Sequence, residues 1–261
     1  MNKDNGDLKI KDDIQEIIND YWNIAAPKYS QKIRNELNTK YIDKWLNKII
    51  QFIPLKMRLD VLDIGTGPGF FSIILSKAGH NVTAIDCSSQ MLQEAAANAK
   101  IAGVKVKYIK MDAHKPDFQN NNFDLIISRN LTWTLYNPLA AYTAWNKILR
   151  PHGKIIIFDA NYGNYCFDEQ IARQKKENEE RYYEIYGVSH KTNTISDEYI
   201  NEMFLSNKSR PEWDIKVFES LGMNVYVETN ISNELYTEAS ILLNSTTPLF
   251  ILVAEKYRNS L

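Results

Sequence analysis

Short apolar runs alternate with longer stretches of helical period along the middle of this chain. The first run, over residues 61–64, leads into a glycine-rich turn, and a second run, over 81–86, ends in an acid. The apolar residues between these runs predict a helix over 70–78. Strands that alternate with helices in this way predict an α/β fold whose parallel sheet is covered by helices on both faces.

The same pattern predicts the remaining helices and strands. Before the sheet, the apolar residues Leu37, Tyr41, Ile42, Trp45 and Ile49 recur at helical spacing. After the second strand we expect, in order, a helix over 88–100, strands over 104–109 and from 123, a turn over 148–155 followed by a strand, a charged helix over 168–186, a helix over 211–221, and strands over 223–229 and 249–257. The connection over 230–248 is expected to be partly helical.

The turn after the first strand, over 65–69, has the spacing G-x-G-x-G. Its glycines allow positive φ and lack the Cβ atoms that would keep a bulky ligand away from the backbone. Phosphate is a common ligand where such a turn opens a helix. The dinucleotide pattern G-x-G-x-x-G/A would need Gly or Ala at position 70, where this chain has Phe70. An NAD-dependent oxidoreductase is therefore an alternative that the spacing disfavours.

Five landmarks in order resemble those of the class I S-adenosylmethionine-dependent methyltransferases that act on small molecules. They are Asp63 with the glycine turn, Asp86, the segment Met111-Asp112-Ala113, the strand end at 123–130, and the turn over 148–155. The turn over 148–155 departs from the family's L-x-P-G-G pattern, because His152 stands in place of the first Gly. The resemblance implies a Rossmann-like seven-stranded sheet, mostly parallel with an antiparallel last strand, and an inserted helical cap.

The resemblance also implies a set of residues that bind S-adenosylmethionine, with S-adenosylhomocysteine as the product. Asp86 would hold the ribose hydroxyls, Asp112 with Ala113 would set the adenine, and Asp63 would act through water or the amino group of the cofactor. The full set is Asp63, Gly65, Thr66, Gly67, Pro68, Gly69, Asp86, Cys87, Met91, Asp112, Ala113, Ser128, Arg129, Tyr21 and Tyr29.

Candidate acceptor contacts come from the ends of the fourth and fifth strands and from the segment before the sheet. They are Trp22, Asn130, Trp133 and Asp159. Asn130 is equally compatible with capping the next short helix. His114 and His190 are the histidines best placed for general-base chemistry, although a lone histidine is more often structural. No catalytic residue is assigned.

The segment over 21–29 is similar to a Y-W-x-x-x-A-x-x-Y leader that covers the cofactor in many small-molecule methyltransferases. We expect it to form a lid, although its aromatic residues would serve equally well as core. Pro27 favours an extended conformation at Ala26.

Composition narrows the possible partners and the compartment. The chain has 261 residues, of which 44% are hydrophobic, so it can bury a sizeable core. A net charge of -1 offers no general field for a polyanion, so nucleic acid is an unfavoured partner. No apolar run reaches the length of a membrane span. Two cysteines, Cys87 and Cys166, are typical of a reducing compartment, so a cytoplasmic protein is expected. The spacing of metal-binding residue types indicates no metal site.

The sequence thus predicts a cytoplasmic methyltransferase that acts on a small molecule, as a monomer or homodimer, with the acceptor atom undecided. A tRNA or protein methyltransferase is one alternative, and a regulatory protein that binds the cofactor without catalysis is another. We divide the chain into an N-terminal lid (1–55), a cofactor-binding core (56–160), a helical cap (161–210) and a C-terminal part of the sheet (211–261).

Overall fold

A computed structural model describes residues 4–54, 57–188 and 197–257 of the chain. Its strands are β1 (Asp60–Ile64), β2 (Asn81–Asp86), β3 (Lys107–Lys110), β4 (Phe123–Arg129), β5 (Leu149–Asp159), β6 (Met223–Glu228) and β7 (Phe250–Lys256). They form one sheet in the order β3-β2-β1-β4-β5-β7-β6. The first five are parallel, and β7 lies antiparallel between β5 and β6. The Rossmann-like seven-stranded sheet is confirmed.

Helices cover both faces of this sheet. The α-helices are α1 (Asp4–Leu37), α2 (Tyr41–Ile50), α3 (Phe70–Lys77), α4 (Ser89–Ala102), α5 (Pro138–Ile148), α6 (Glu169–Tyr186), α7 (Asp197–Glu202), α8 (Glu212–Ser220), α9 (Ser232–Leu235) and α10 (Glu238–Leu243). Two short 3-10 helices, Thr132–Thr134 and Asn164–Cys166, follow β4 and β5. The expected helical segment after β5 is therefore present as α6 and α7.

The two cores follow from the alternation of side chains along the strands. Val61 of β1 faces one side and packs in a cluster with Trp45 of α2 and Phe71 of α3, while Leu62 faces the other side with Trp145 of α5. All four of these elements carry apolar residues at the matching period. Because both faces are covered, the central strands carry consecutive apolar residues in their middle parts, as is usual for parallel sheets.

The region before the sheet differs from its prediction. The stripe that starts at Leu37 is divided between two helices, because α1 ends at Leu37 and α2 begins at Tyr41. The expected extended conformation at Ala26 is wrong, since α1 runs through Pro27. Packing against α4 explains this: Ala26 is fully buried, and the amide oxygen of Asn23 accepts a hydrogen bond from Ser88 at the start of α4. Such contacts offset the lost backbone bond of proline.

The departure at His152 has a backbone consequence. His152 has a φ of +62°, in the left-handed region that favours glycine, and its side chain is exposed. It lies near the start of β5, at the end of the sheet opposite Asp63 and Asp86. The substitution is therefore remote from the strand ends that carry the candidate site.

Candidate active site

The glycine turn is held in place by the acid that precedes it. Asp63 Oδ2 accepts hydrogen bonds from Thr66 Oγ1 at 2.6 Å and from the Ser72 backbone N–H at 2.9 Å. Gly67 has a φ of +51°, which explains the glycine there. A Cβ on Gly67 would lie 3.7 Å from the ring of Tyr29, so the turn leaves its backbone open toward α1.

The acid at the end of β2 braces the same turn from the neighbouring strand. Asp86 Oδ2 accepts a hydrogen bond from the Gly67 backbone N–H at 2.8 Å, and Asp86 Oδ1 accepts one from the Ser88 N–H at 2.9 Å. Ser88 in turn caps α4 by accepting from Met91 N–H. The turn and the two strand ends therefore form one rigid unit.

Burial disfavours the ionised forms of the Asp63 and Asp86 carboxyl groups. It raises the pKa of Asp63 from 3.8 to about 7, against the lowering effect of the Thr66 and Ser72 hydrogen bonds, and the negative charge of Asp86 adds to the rise. Burial also raises the pKa of Asp86, and its backbone hydrogen bonds oppose that rise. A positively charged ligand beside this pair would favour their ionised forms.

A third acid follows β3. Asp112 Oδ1 accepts from the His114 backbone N–H at 2.8 Å and lies 2.7 Å from His114 Nδ1. Because the Asn137 N–H donates to His114 Nε2 at 3.3 Å, Nδ1 must carry the proton in the bond to Asp112. Both ring nitrogens are thus engaged, which favours the structural role of His114 over a general base. The other candidate, His190, lies outside the described residues.

These elements enclose a cleft at the carboxyl ends of β1 to β4, which we call the strand-end cleft. Predicted residues that line it are Asp63, Gly65, Thr66, Gly67, Pro68, Asp86, Cys87, Met91, Asp112, Ala113, Arg129, Tyr29, Trp22 and Asn130. Met111 and His114 also line the cleft, as part of the predicted adenine segment and as the candidate general base. The lining residues that were not predicted are Gln15, Ile18, Ile33, Phe70, Phe71, Ile85, Leu131, Thr134 and Leu135. A sequence signal was available for Gln15, Ile18 and Ile33, because they recur at helical spacing with Trp22 and Tyr29 along α1.

Other predicted residues lie elsewhere. Gly69 caps the start of α3, and Ser128 is fully buried with no partner for its hydroxyl among the described residues. The Trp133 indole donates to the Asn130 carbonyl and packs on Tyr162, 5.5 Å between ring centroids. Neither cavity described here has Trp133 in its wall.

Asp159 is also absent from both cavity walls. Its fully buried carboxylate accepts from the Thr132 hydroxyl and lies 3.4 Å from Arg210 Nη1. Burial raises the pKa of Asp159, while the Arg210 charge lowers it. Arg210 also pairs with Asp214 at 2.9 Å, so this end of β5 is a buried charge cluster that fixes the chain after β4.

The Cys87 thiol lines the strand-end cleft without nucleophilic character. Burial raises its pKa to about 12, and the neighbouring Asp86 charge adds to the rise. The group is therefore protonated at neutral pH. Among the described residues no His, Cys, Asp and Glu side chains converge in a metal-binding arrangement.

A second cavity of about 830 Å³ adjoins the cleft between α1, α2, α6, α9 and α10, and we call it the helical cavity. Its walls are Tyr21, Trp22, Ile24, Ala25, Lys28, Tyr29, Lys32, Asn35, Glu36, Thr39, Tyr41, Trp45, Phe70, Tyr182, Leu235, Tyr236, Thr237, Ala239, Ser240, Leu243 and Asn244. Trp22, Tyr29 and Phe70 line both spaces, so they mark the junction.

A buried ion pair lies at the same junction. Arg129, from the wall of the cleft, donates through Nη1 to Glu36 Oε2 of the helical cavity at 2.8 Å. The guanidinium lies over the rings of Trp45 and Phe70, 4.3 and 4.4 Å from their centroids. Burial raises the pKa of Glu36, but the charges of Arg129 and Lys32, together with the hydrogen bond from Arg129, outweigh this and hold the pKa below its ordinary value. The pair is therefore ionised.

Asn130 beside this pair does not cap the short helix that follows, which begins with no side-chain cap. Its Oδ1 instead accepts a hydrogen bond from Tyr162 at 2.9 Å, and Tyr162 is hydrogen-bonded to Tyr236. This chain of polar groups connects the wall of the cleft to the wall of the helical cavity.

Comparison with known proteins agrees with this geometry. Residues 62–157 match the family described as Methyltransferase domain. A ubiquinone biosynthesis O-methyltransferase of Colwellia psychrerythraea is 24% identical over 151 residues, which cover 56% of this chain and 61% of that protein. The chain thus spans about six-tenths of the length of this curated relative.

Solved structures share the fold. A SAM dependent methyltransferase from Aquifex aeolicus has a TM-score of 0.53 at 20% identity, over 87% of this chain and 97% of that one. The Haemonchus contortus phosphoethanolamine N-methyltransferase 2, in complex with phosphomonomethylethanolamine and S-adenosylhomocysteine, has a TM-score of 0.56 at 20% identity, over 82% of this chain and 52% of that one. The chain therefore carries a methyltransferase domain over residues 62–157, and the order of its motifs and strands resembles that of the class I S-adenosylmethionine-dependent methyltransferases.

Proposed function

We propose that this protein transfers the methyl group of S-adenosylmethionine to a small-molecule acceptor and releases S-adenosylhomocysteine. One observation carries the proposal: three carboxyl groups, those of Asp63, Asp86 and Asp112, line a cleft whose backbone is open at a glycine turn. Among the described residues of that wall, Arg129 is the one permanent cation, and Glu36 pairs with it.

The donor set suits a cofactor that carries an ammonium and a sulfonium group better than one that carries phosphates. The buried carboxyls of Asp63 and Asp86 gain a counter-charge from such a ligand, whereas a pyrophosphate would face them with like charge. The start of α3 also has Phe70 where a dinucleotide would need a small residue. The cleft therefore fits the cofactor of the family and disfavours NAD.

The chain's own groups would bind and orient the two reactants. Asp86 would accept hydrogen bonds from the ribose hydroxyls, and Asp63 would face the methionine portion. The Asp112 carboxylate, which is hydrogen-bonded to His114, would accept a hydrogen bond from the adenine amino group. When bound, the cofactor supplies a methyl group activated by its sulfonium, so the protein chiefly needs to align an acceptor lone pair and exclude water. Trp22, Tyr29 and Phe70 would exclude water at the junction.

Calorimetry with S-adenosylmethionine and S-adenosylhomocysteine tests the proposal. Asp86→Asn should weaken both affinities by about tenfold or more, because a charged hydrogen bond to the ligand is lost. Asp60→Asn is the matched control, since Asp60 lies at the other end of β1 and pairs with Arg150. Failure of the wild-type protein to bind either compound would overturn the proposal.

We also infer a cytoplasmic location and a monomeric or homodimeric state. Two free cysteines, Cys87 and Cys166, support a reducing compartment. No helix in the described part of the chain is both long and apolar enough to span a bilayer. Fractionation of the source cells with light scattering of the purified protein would check both inferences.

A further inference from the structure

The walls of the helical cavity are rich in aromatic rings. Those rings belong to Tyr21, Trp22, Tyr29, Tyr41, Trp45, Phe70, Tyr182 and Tyr236. Tyr21 and Trp22 meet edge to face at 4.9 Å, and Trp22 and Tyr29 lie 5.7 Å apart at a tilt of 55°, so packed aromatic rings border the junction. Aromatic walls of this kind favour a planar, largely apolar ligand, and about 830 Å³ falls within the range of small-molecule pockets.

The charges around the cavity favour one sign of ligand. Among the described lining residues the charged ones are Lys28, Lys32 and Glu36. Glu36 is already paired with Arg129, which leaves the two lysines as the excess charge. An ammonium group would therefore meet net positive charge, whereas a hydroxyl or an oxyanion would be favoured.

The junction supplies hydrogen-bonding groups for a hydroxyl. The Glu36 carboxylate can accept a hydrogen bond there, and Arg129 Nε is buried with no partner in the described structure. We propose that the helical cavity binds an acceptor with an aromatic ring that carries a hydroxyl group, and that this oxygen receives the methyl group beside Glu36 and Arg129. This inference rests on the proposed function and adds the acceptor class to it.

The transfer balances with groups that are present. A lone pair of the hydroxyl oxygen forms the bond to the methyl carbon, and the carbon–sulfur bond breaks with its electron pair remaining on sulfur. The oxygen becomes strongly acidic as this bond forms, so its proton passes to the Glu36 carboxylate although the pKa of Glu36 is low. Glu36 then returns the proton to water, because its side chain is 21% exposed.

Binding is tested by calorimetry with two probes that have the same number of non-hydrogen atoms, 4-methylphenol and benzylamine. We expect 4-methylphenol to bind about tenfold or more tightly than benzylamine, which is cationic at neutral pH. Leu243→Trp fills the cavity from α10 and should abolish binding of the phenol. Ile101→Trp, at a site 75% exposed on α4, is the matched control and should leave binding unchanged. Equal or tighter binding of benzylamine, or phenol binding that survives Leu243→Trp, would overturn the proposal.

Transfer of a labelled methyl group tests the chemistry. Glu36→Gln should reduce turnover with 4-methylphenol by about tenfold or more while its dissociation constant changes by less than about threefold. If the Leu243→Trp protein still binds S-adenosylhomocysteine, then its loss of phenol binding reports on the helical cavity and not on the cofactor site. If the cofactor binds and the label enters an amine instead, the acceptor class is wrong while the proposed function stands. If no cofactor binds, the proposed function fails, and phenol binding without cofactor still decides the occupant of the cavity.

Discussion

The high pKa of Asp63 predicts that this residue destabilises the free protein at neutral pH while it prepares the cleft for a cation. Its carboxyl is 2% exposed, and burial raises its pKa from 3.8 to about 7. A rise of the pKa from 3.8 to about 7 corresponds to roughly 4 kcal/mol of free energy of unfolding. Because the pKa is raised in the folded state, the fold favours the protonated carboxyl. The stability that this protonated form contributes is complete below about pH 4 and is lost as the pH rises to about 7.

Asp63→Asn is the informative perturbation. The Asn side-chain oxygen can still accept from Thr66 and Ser72, but the group no longer titrates. The stability of the wild-type protein relative to the variant should fall by about 2 kcal/mol between about pH 5 and pH 7, measured by urea unfolding at both values.

Asp60→Asn serves as the control for this titration. The pKa of Asp60 is lowered by its hydrogen bonds to Asn81 and Arg150, so its contribution is present above its unfolded pKa and stays constant over the same interval. A stability difference between wild type and Asp63→Asn that is the same at both pH values would show that the pKa of Asp63 is not raised in the folded protein.

Three further predictions concern the turn, the charge cluster and the sheet edge. Gly67→Ala should reduce cofactor affinity measured by calorimetry, whereas Gly103→Ala, also at positive φ but with open space around it, should only lower the melting temperature. Arg210→Met should cost about 3–5 kcal/mol in urea unfolding, because it leaves Asp159 without its counter-charge. His152→Gly should stabilise the protein by up to about 1 kcal/mol in the same assay, because φ is +62° there.

Much of the fold and part of the cleft could be predicted because their signals are local. The apolar run before Asp63 and the glycines after it fix a strand and a turn within one stretch of sequence. Asp86 falls at the matching end of the neighbouring strand, because parallel strands place their carboxyl ends together. The order of the motifs was therefore sufficient to predict that these acids lie in one cleft.

The rest depends on partners distant in sequence. Strand order suggested Asp159 for the acceptor site, but the charge of Arg210 lies beside it in the fold. Pro27 predicted a break in α1, yet packing on α4 outweighs that local preference. The helical cavity is lined by Glu36, Trp45 and Tyr236, which come from three separate segments, so no local sequence pattern predicts the cavity.

Calorimetric titration of the wild-type protein with S-adenosylmethionine, S-adenosylhomocysteine and NAD measures which of these cofactors the strand-end cleft binds. Because the cleft presents three carboxyl groups and a turn followed by Phe70, both adenosyl compounds should bind at one site each and NAD should give no binding heat. Binding of NAD without binding of either S-adenosylmethionine or S-adenosylhomocysteine would show that the cleft is a dinucleotide site and not a methyltransferase site.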